Sequence, residues 1–304
     1  MKIATTTLDF GRYCSNDIER LNELHKVGFR YVDLSMYTFT PDSVYMGNEW
    51  RDAVAALKAE ADRLGMKFVQ AHSQGGNPLR DDKDHVDFLM AATLRSIEIC
   101  SILGIENTVA HPGYIKGGTK EEWFCRNREF FNKLLPTAER LGVNILTENS
   151  TAVNMGGDYF ANSGKDMLEF LEFVGNDHLH ACWDTGHGNC DGPQYHHIMT
   201  LGKELRAIHY NDNHGKADEH LTPFLGTLNH DEIINALIDV GYSGYFTLEC
   251  GADLITKKYW LGSRRSFNRE DRLGEPQLFM RRHMEALLYD TAKYILDAYD
   301  LFEE

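Results

Sequence analysis

Residues 179–212 read LHACWDTGHGNCDGPQYHHIMTLGKELRAIHYND. An apolar run, LHACWD, is followed by a segment with helical spacing from Tyr195 to Leu205 and then by a second apolar run, RAIHYND. Runs that are apolar on both faces are what parallel strands covered by helices require. The unit is therefore strand, helix, strand. Both strands lead into groups that an apolar core rejects: Asp184 and His187 follow the first, His209 the second, and Asp218 and His220 come shortly after. A buried carboxylate or imidazole needs a partner, and one metal ion serves several of them at once.

The same alternation extends in both directions. Strands are predicted at 3–8, 31–36, 67–73, 108–112, 144–150, 179–184, 206–212 and 245–250, with helices at 15–28, 49–65, 84–104, 121–142, 165–175, 195–205, 230–241 and 280–299. Several of the helices end on a glycine, as helix C-termini favour. Eight such units in a chain of 304 residues describe a single-domain TIM barrel spanning 1–304. A doubly wound open sheet is the alternative. No GxGxxG follows the first strand and no linker or composition shift divides the chain, which favours the barrel. One irregular, arginine-rich stretch, 257–277, lies between the eighth strand and the last helix. It is a candidate substrate-facing loop or homo-oligomer contact, with Arg264 and Arg265 as candidate phosphate ligands.

In a TIM barrel the C-terminal strand ends meet at one mouth. His72 ends the third predicted strand, His111 the fourth, Glu148 the fifth, Asp184 the sixth, His209 the seventh and Glu249 the eighth. A lone histidine after a strand is more often a hydrogen-bonded structural residue than a ligand. Six strand ends furnished in this way are a different matter. Mixed carboxylate and imidazole donors suit Zn, Mn, Fe or Co better than Ca, and no cysteines are positioned for a closed structural zinc site. The remaining histidines, among them His85, His178, His180, His214 and His230, are read as solvated or structural residues on helices and in loops.

The runs AHPG, LTEN, DTGH, HYND, ADEH and TLE together resemble those of the xylose isomerase-like superfamily of TIM barrels, over nearly the whole chain. That superfamily includes sugar and sugar-phosphate isomerases and epimerases and the endonuclease IV class of apurinic-site nucleases. The epimerase resemblance implies one divalent ion (Mn, Zn or Co) on Glu148, Asp184, His209 and Glu249, with His187 near the substrate. The nuclease resemblance implies three zinc ions: on His72, His111 and Glu148; on Glu148, Asp184, His209 and Glu249; and on His187, Asp218 and His220. All nine positions are filled. The nuclease also calls for a tyrosine shortly after the third-strand histidine, where this chain reads HSQGGNPLRDD. Carbohydrate chemistry is therefore the preferred expectation, with Glu148 and Glu249 moving a proton through a metal-bound enediolate. A multi-zinc phosphodiesterase is the alternative, and a metal-dependent lyase on oxidised glycosides a further one.

Composition narrows the partners. A net charge of −15 disfavours a nonspecific grip on nucleic acid or an anionic membrane, although a metal-lined groove can still bind phosphates. The expected partner is a small carbohydrate. The six cysteines include no CxxC pair, and the N-terminal MKIATTTLDFGRYC lacks the apolar core of a secretory leader. A reduced cytoplasmic setting is the expectation.

Overall fold

The computed structural model describes residues 1–155, 158–254 and 273–304. Its strands are β1 (Ile3–Thr6), β2 (Tyr31–Ser35), β3 (Lys67–His72), β4 (Asn107–Val109), β5 (Asn144–Glu148), β6 (Leu179–Asp184), β7 (Leu205–His209) and β8 (Phe246–Leu248). They form one sheet in the order β7-β6-β5-β4-β3-β2-β1-β8, and every ladder is parallel. Tyr210 closes the seam just past β7: its N–H donates to the Thr247 carbonyl (2.7 Å), and its own carbonyl accepts from Glu249 (3.2 Å). The result is a nearly closed TIM barrel, as the sequence pattern predicts.

The long helices are α1 (Asp17–Val27), α2 (Trp50–Leu64), α3 (Lys83–Leu103) and α4 (Lys120–Leu141). After β5 come α5 (Ala152–Met155) and α6 (Gly164–Val174), and after β6 come α7 (Thr185–Asp191) and α8 (Tyr195–Leu201). Then follow α9 (His230–Asp239) and α10 (Leu278–Asp297). The additional short helices α5 and α7 depart from strict alternation. Both lie at the C-terminal mouth, where α7 starts because the Asp184 carboxylate accepts from the His187 N–H (2.6 Å) and caps it.

Outside the barrel, Trp123 and Phe124 of α4 meet Phe170 of α6 edge to face at 5.1 and 5.3 Å between ring centroids. Inside it, Val109, Leu146, Cys182 and Ala207 form a separate buried cluster. Each lies two residues before His111, Glu148, Asp184 or His209. Side chains two apart on a strand share a face, so the apolar layer is a floor and the polar residues are the layer above it.

Only β6 keeps its predicted bounds; the other seven strands are shorter than predicted, and β4 and β8 are cut to three residues each. β4 stops at Val109 and β8 at Leu248; Pro112 has no N–H to continue the β4 ladder. His111 and Glu249 therefore stand just beyond strand ends. His180 lies on β6, not on a helix or loop, and its Nδ1 is 2.6 Å from the Glu204 carboxylate, well below the mouth. Residues 257–272, with Arg264 and Arg265, lie outside the described residues. Among the described residues no helix is long and apolar enough to cross a membrane.

Candidate active site

Every strand-end residue singled out in the sequence comes to the mouth of the barrel. Three groups of donor atoms lie within 4.8 Å of one another: Glu148, Asp184, His209 and Glu249; His72, Glu148 and His209; and His187, Asp218 and His220. The first is the ligand set that the epimerase resemblance implies. The third is the outer set of the nuclease resemblance. The second differs from expectation, because His209 replaces His111, whose Nε2 sits instead 2.6 Å from Glu148 Oε2.

His209 is the centre of the first group. Its Nδ1 lies 2.7 Å from Glu148 Oε1 and 3.3 Å from Glu249 Oε2, so both carboxylates converge on one nitrogen. On the far side of the ring, Nε2 lies 2.7 Å from the Gln70 amide nitrogen, which also donates to Asp33 (2.7 Å). This pair, buried beneath the mouth, fixes the imidazole plane. Outer partners of this kind set both the orientation and the basicity of a ligating histidine.

Three other imidazoles are oriented by backbone carbonyls. His72 Nδ1 donates to Ser73 (2.9 Å), His187 Nδ1 to Asn149 (2.9 Å) and His220 Nδ1 to Glu249 (2.8 Å). Each therefore presents Nε2 to a carboxylate. For His72 that is Glu148 at 3.7 Å; for His187 and His220 it is Asp218, at 3.2 and 3.1 Å. His220 holds a φ of 49°, a left-handed conformation that non-glycine residues seldom adopt. The turn carries the ring back toward the mouth.

Asp184 is held from three sides. Asn211 donates to its Oδ2 (2.7 Å), the His187 N–H to its Oδ1 (2.6 Å), and Asn149 to its carbonyl (2.9 Å). Gly186 makes this possible, because a Cβ there would stand 1.9 Å from the Asn211 amide oxygen. Gly186→Ala is therefore expected to displace Asn211 and weaken metal affinity by roughly 10–100-fold, the usual effect of losing an outer partner. Metal titration of Gly186→Ala with affinity equal to the unmodified protein would contradict this role.

Electrostatics agree with a cation site. Burial raises Asp184 to about 6, with His187 opposing it. Burial alone would depress His187, but Asp184 and Asp218 override it and lift the imidazole to about 10. Glu148 is likewise pulled well below the carboxylate range, against burial, by His209, His111 and His72. Protonated imidazoles neutralise these carboxylates, and a divalent ion does the same with release of the protons. The donor set fits such an ion: buried oxygen and nitrogen atoms converge, and their outer partners are in place.

Several residues were missed in the sequence. Asp33 and Gln70 carry a readable signal, since a carboxylate and an amide interrupt otherwise apolar strands. Asn149 and Asn211 follow ligand or near-ligand positions in LTEN and HYND. Tyr37, which follows β2, carries none. Its ring packs edge-on against His72 at 4.9 Å between centroids and fills the space left by Gly75, where a Cβ would meet the ring at 2.2 Å. An aromatic residue thus does stand beside the third-strand histidine, supplied by the segment after β2 rather than by the HSQGG loop.

The xylose isomerase-like TIM barrel family matches residues 21–283. The chain belongs to this family. Fructoselysine 3-epimerase of Escherichia coli O157:H7 is 27% identical over 179 residues, which are 59% of this chain and 57% of that protein. The 2-oxo-tetronate isomerase of Haemophilus influenzae is 25% identical over 249 residues, covering 76% of this chain and 86% of that one. The chain spans little more than half the length of the first curated relatives it matches. The crystal structure of D-psicose 3-epimerase with D-tagatose, from Clostridium cellulolyticum H10, superposes with a TM-score of 0.73 over 97% of this chain and 99% of that one, at 18% identity. That likeness is one of fold.

Proposed function

We propose that this protein is a divalent-metal-dependent isomerase or epimerase of a keto-sugar, with Glu148, Asp184, His209 and Glu249 as its metal ligands. The observation that carries the reading is the convergence of two carboxylates, Glu148 and Glu249, on His209 Nδ1 at 2.7 and 3.3 Å. When bound there, the ion supplies Lewis-acid polarisation of the substrate carbonyl. The protein's own groups do the rest. Glu148, set beside His209, His111 and His72, takes or returns the proton on the carbon beside the carbonyl, and Glu249 does so from the other side. His187, fixed by the Asn149 carbonyl, hydrogen-bonds a substrate oxygen. The relatives named epimerase and isomerase support this reaction class.

The test is isotopic. Metal-loaded protein in deuterated water should place deuterium on the reacting carbon of a converted ketose, because the proton passes through a carboxylate that exchanges with solvent. Conversion without deuterium would mean hydride transfer between carbons and would overturn the two-carboxylate mechanism.

The multi-zinc phosphodiesterase is the second reading. The His187, Asp218 and His220 group favours it, as does Tyr37 beside His72. Against it stands the net charge of −15, which repels a polyanion. Incision of an abasic DNA duplex is expected to be negligible even in excess zinc. Robust incision, lost in His111→Ala, would exchange the order of the two readings.

A further inference from the structure

A cavity of about 1030 Å³ opens beside the ligand cluster, between the loops that follow β3 and β4. Its inner wall is Tyr37 and His111, and its outer walls carry Tyr114, Arg80, Lys116 and Arg126. His111 Nε2 touches Glu148 Oε2 at 2.6 Å, so the cavity begins where the reacting carbon of a substrate would stand. Its size is at the top of the roughly 300–1,000 Å³ range of pockets that enclose drug-sized ligands. A single monosaccharide on the ligand cluster leaves this space unfilled.

The walls are built rather than loose. Asn77, from the loop after β3, donates to the Tyr114 carbonyl (2.9 Å), and its side-chain oxygen accepts from the N–H groups of Tyr114 (3.1 Å) and Leu79 (3.0 Å). It ties the two loops together. Gly113 allows that approach, since a Cβ there would meet the Asn77 oxygen at 2.5 Å. The chemistry of the walls is mixed. Arg126 already donates to the Leu79 carbonyl (3.0 Å), Arg80 faces Asp82 at 3.9 Å, and Asp81 and Glu122 line the same space. A phosphate would meet carboxylates along with the guanidinium groups. A neutral ring bearing hydroxyls uses donors and acceptors alike, and Tyr37 and Tyr114 offer aromatic edges and faces for it.

Resting on the keto-sugar reading above, we infer that the substrate is a glycosylated keto-sugar: the keto unit sits on the ligand cluster and a second sugar ring occupies the cavity past His111 and Tyr37. Specificity for the larger substrate then comes from the loops after β3 and β4, while the chemistry stays with Glu148 and Glu249.

The experiment compares initial deuterium wash-in by metal-loaded protein for D-fructose and for glucosyl-fructoses linked through O4, O5 or O6. At least one disaccharide is expected to exceed D-fructose in kcat/KM by roughly tenfold or more, the size of one or two net hydrogen bonds. Lys116→Trp, at an exposed position, narrows the cavity and should bring that ratio toward one. A second measurement is independent of turnover: the corresponding glucosyl-alditol should bind the metal-loaded protein more tightly than D-sorbitol does, and Lys116→Trp should remove the difference. Tighter glucosyl-alditol binding with no deuterium entering any ketose would sink the isomerase reading and leave the glycosyl site standing. Exchange on D-fructose equal to that on every disaccharide, with equal alditol affinities, would do the reverse. D-fructose 6-phosphate outperforming all the disaccharides would also overturn the glycosyl assignment.

Discussion

His209→Ala is expected to yield a folded barrel that retains no stoichiometric divalent ion and has no measurable proton exchange on a keto-sugar. The loss should exceed the roughly 10–100-fold attached to outer partners of a metal site, because Nδ1 of His209 is the atom on which Glu148 and Glu249 converge. The ring is 1% exposed, and its removal leaves Glu148 and Gln70 without the imidazole that joins them. Elemental analysis after gel filtration reads the metal, circular dichroism reads the fold, and deuterium wash-in reads the chemistry. The control is His72→Ala. Its Nε2 stands 3.7 Å from Glu148, it belongs to a different donor group, and it should leave substantial turnover if the central ion alone is needed. Loss of activity in both variants would show that the outer groups are occupied and required, which is the multi-zinc arrangement. A His209→Ala protein that keeps its full metal complement would remove His209 from the ligand set.

The barrel was legible because its signal is repeated. A single run such as LHACWD is ambiguous, but eight runs separated by helical segments leave few topologies, and each strand end then points to one mouth. The ligand candidates were legible for the same reason: His111, Glu148, Asp184 and His209 stand two residues beyond Val109, Leu146, Cys182 and Ala207, so one alternation specifies both the apolar floor and the polar layer. What was not legible depends on contacts between neighbouring strands. Tyr37 reaches His72 only because β2 and β3 pair with Ser35 beside His72, and no spacing along the chain encodes that. Strand lengths erred at every strand but β6, because apolar character continues past the last ladder residue. His180 was misplaced because its pairing with Glu204 makes an imidazole acceptable within a strand.

The two carboxylates can be separated by Glu148→Gln and Glu249→Gln. Each change keeps the size of the side chain and removes its basicity, so turnover should fall by about 10²–10⁴-fold, the range of general acid–base catalysis. The variants are not equivalent in their surroundings. Glu148 is 2% exposed and meets His72, His111 and His209, so Glu148→Gln strips the negative partner from three imidazoles at once. Those rings should then lose protons more readily, since Glu148 raises the affinity of His72, His111 and His209 for them. Glu249 is 18% exposed and faces His209 and His220, so Glu249→Gln disturbs less. Metal content must therefore be compared before rates. In a variant that keeps its ion, two outcomes are informative. Deuterium that washes into unchanged substrate with no product formed means that the remaining glutamate begins the reaction and the replaced one completes it. If neither metal-loaded variant washes deuterium in, both carboxylates are needed for the first proton transfer. Full turnover in either metal-loaded variant would rule that glutamate out as a proton carrier and leave it as a ligand only.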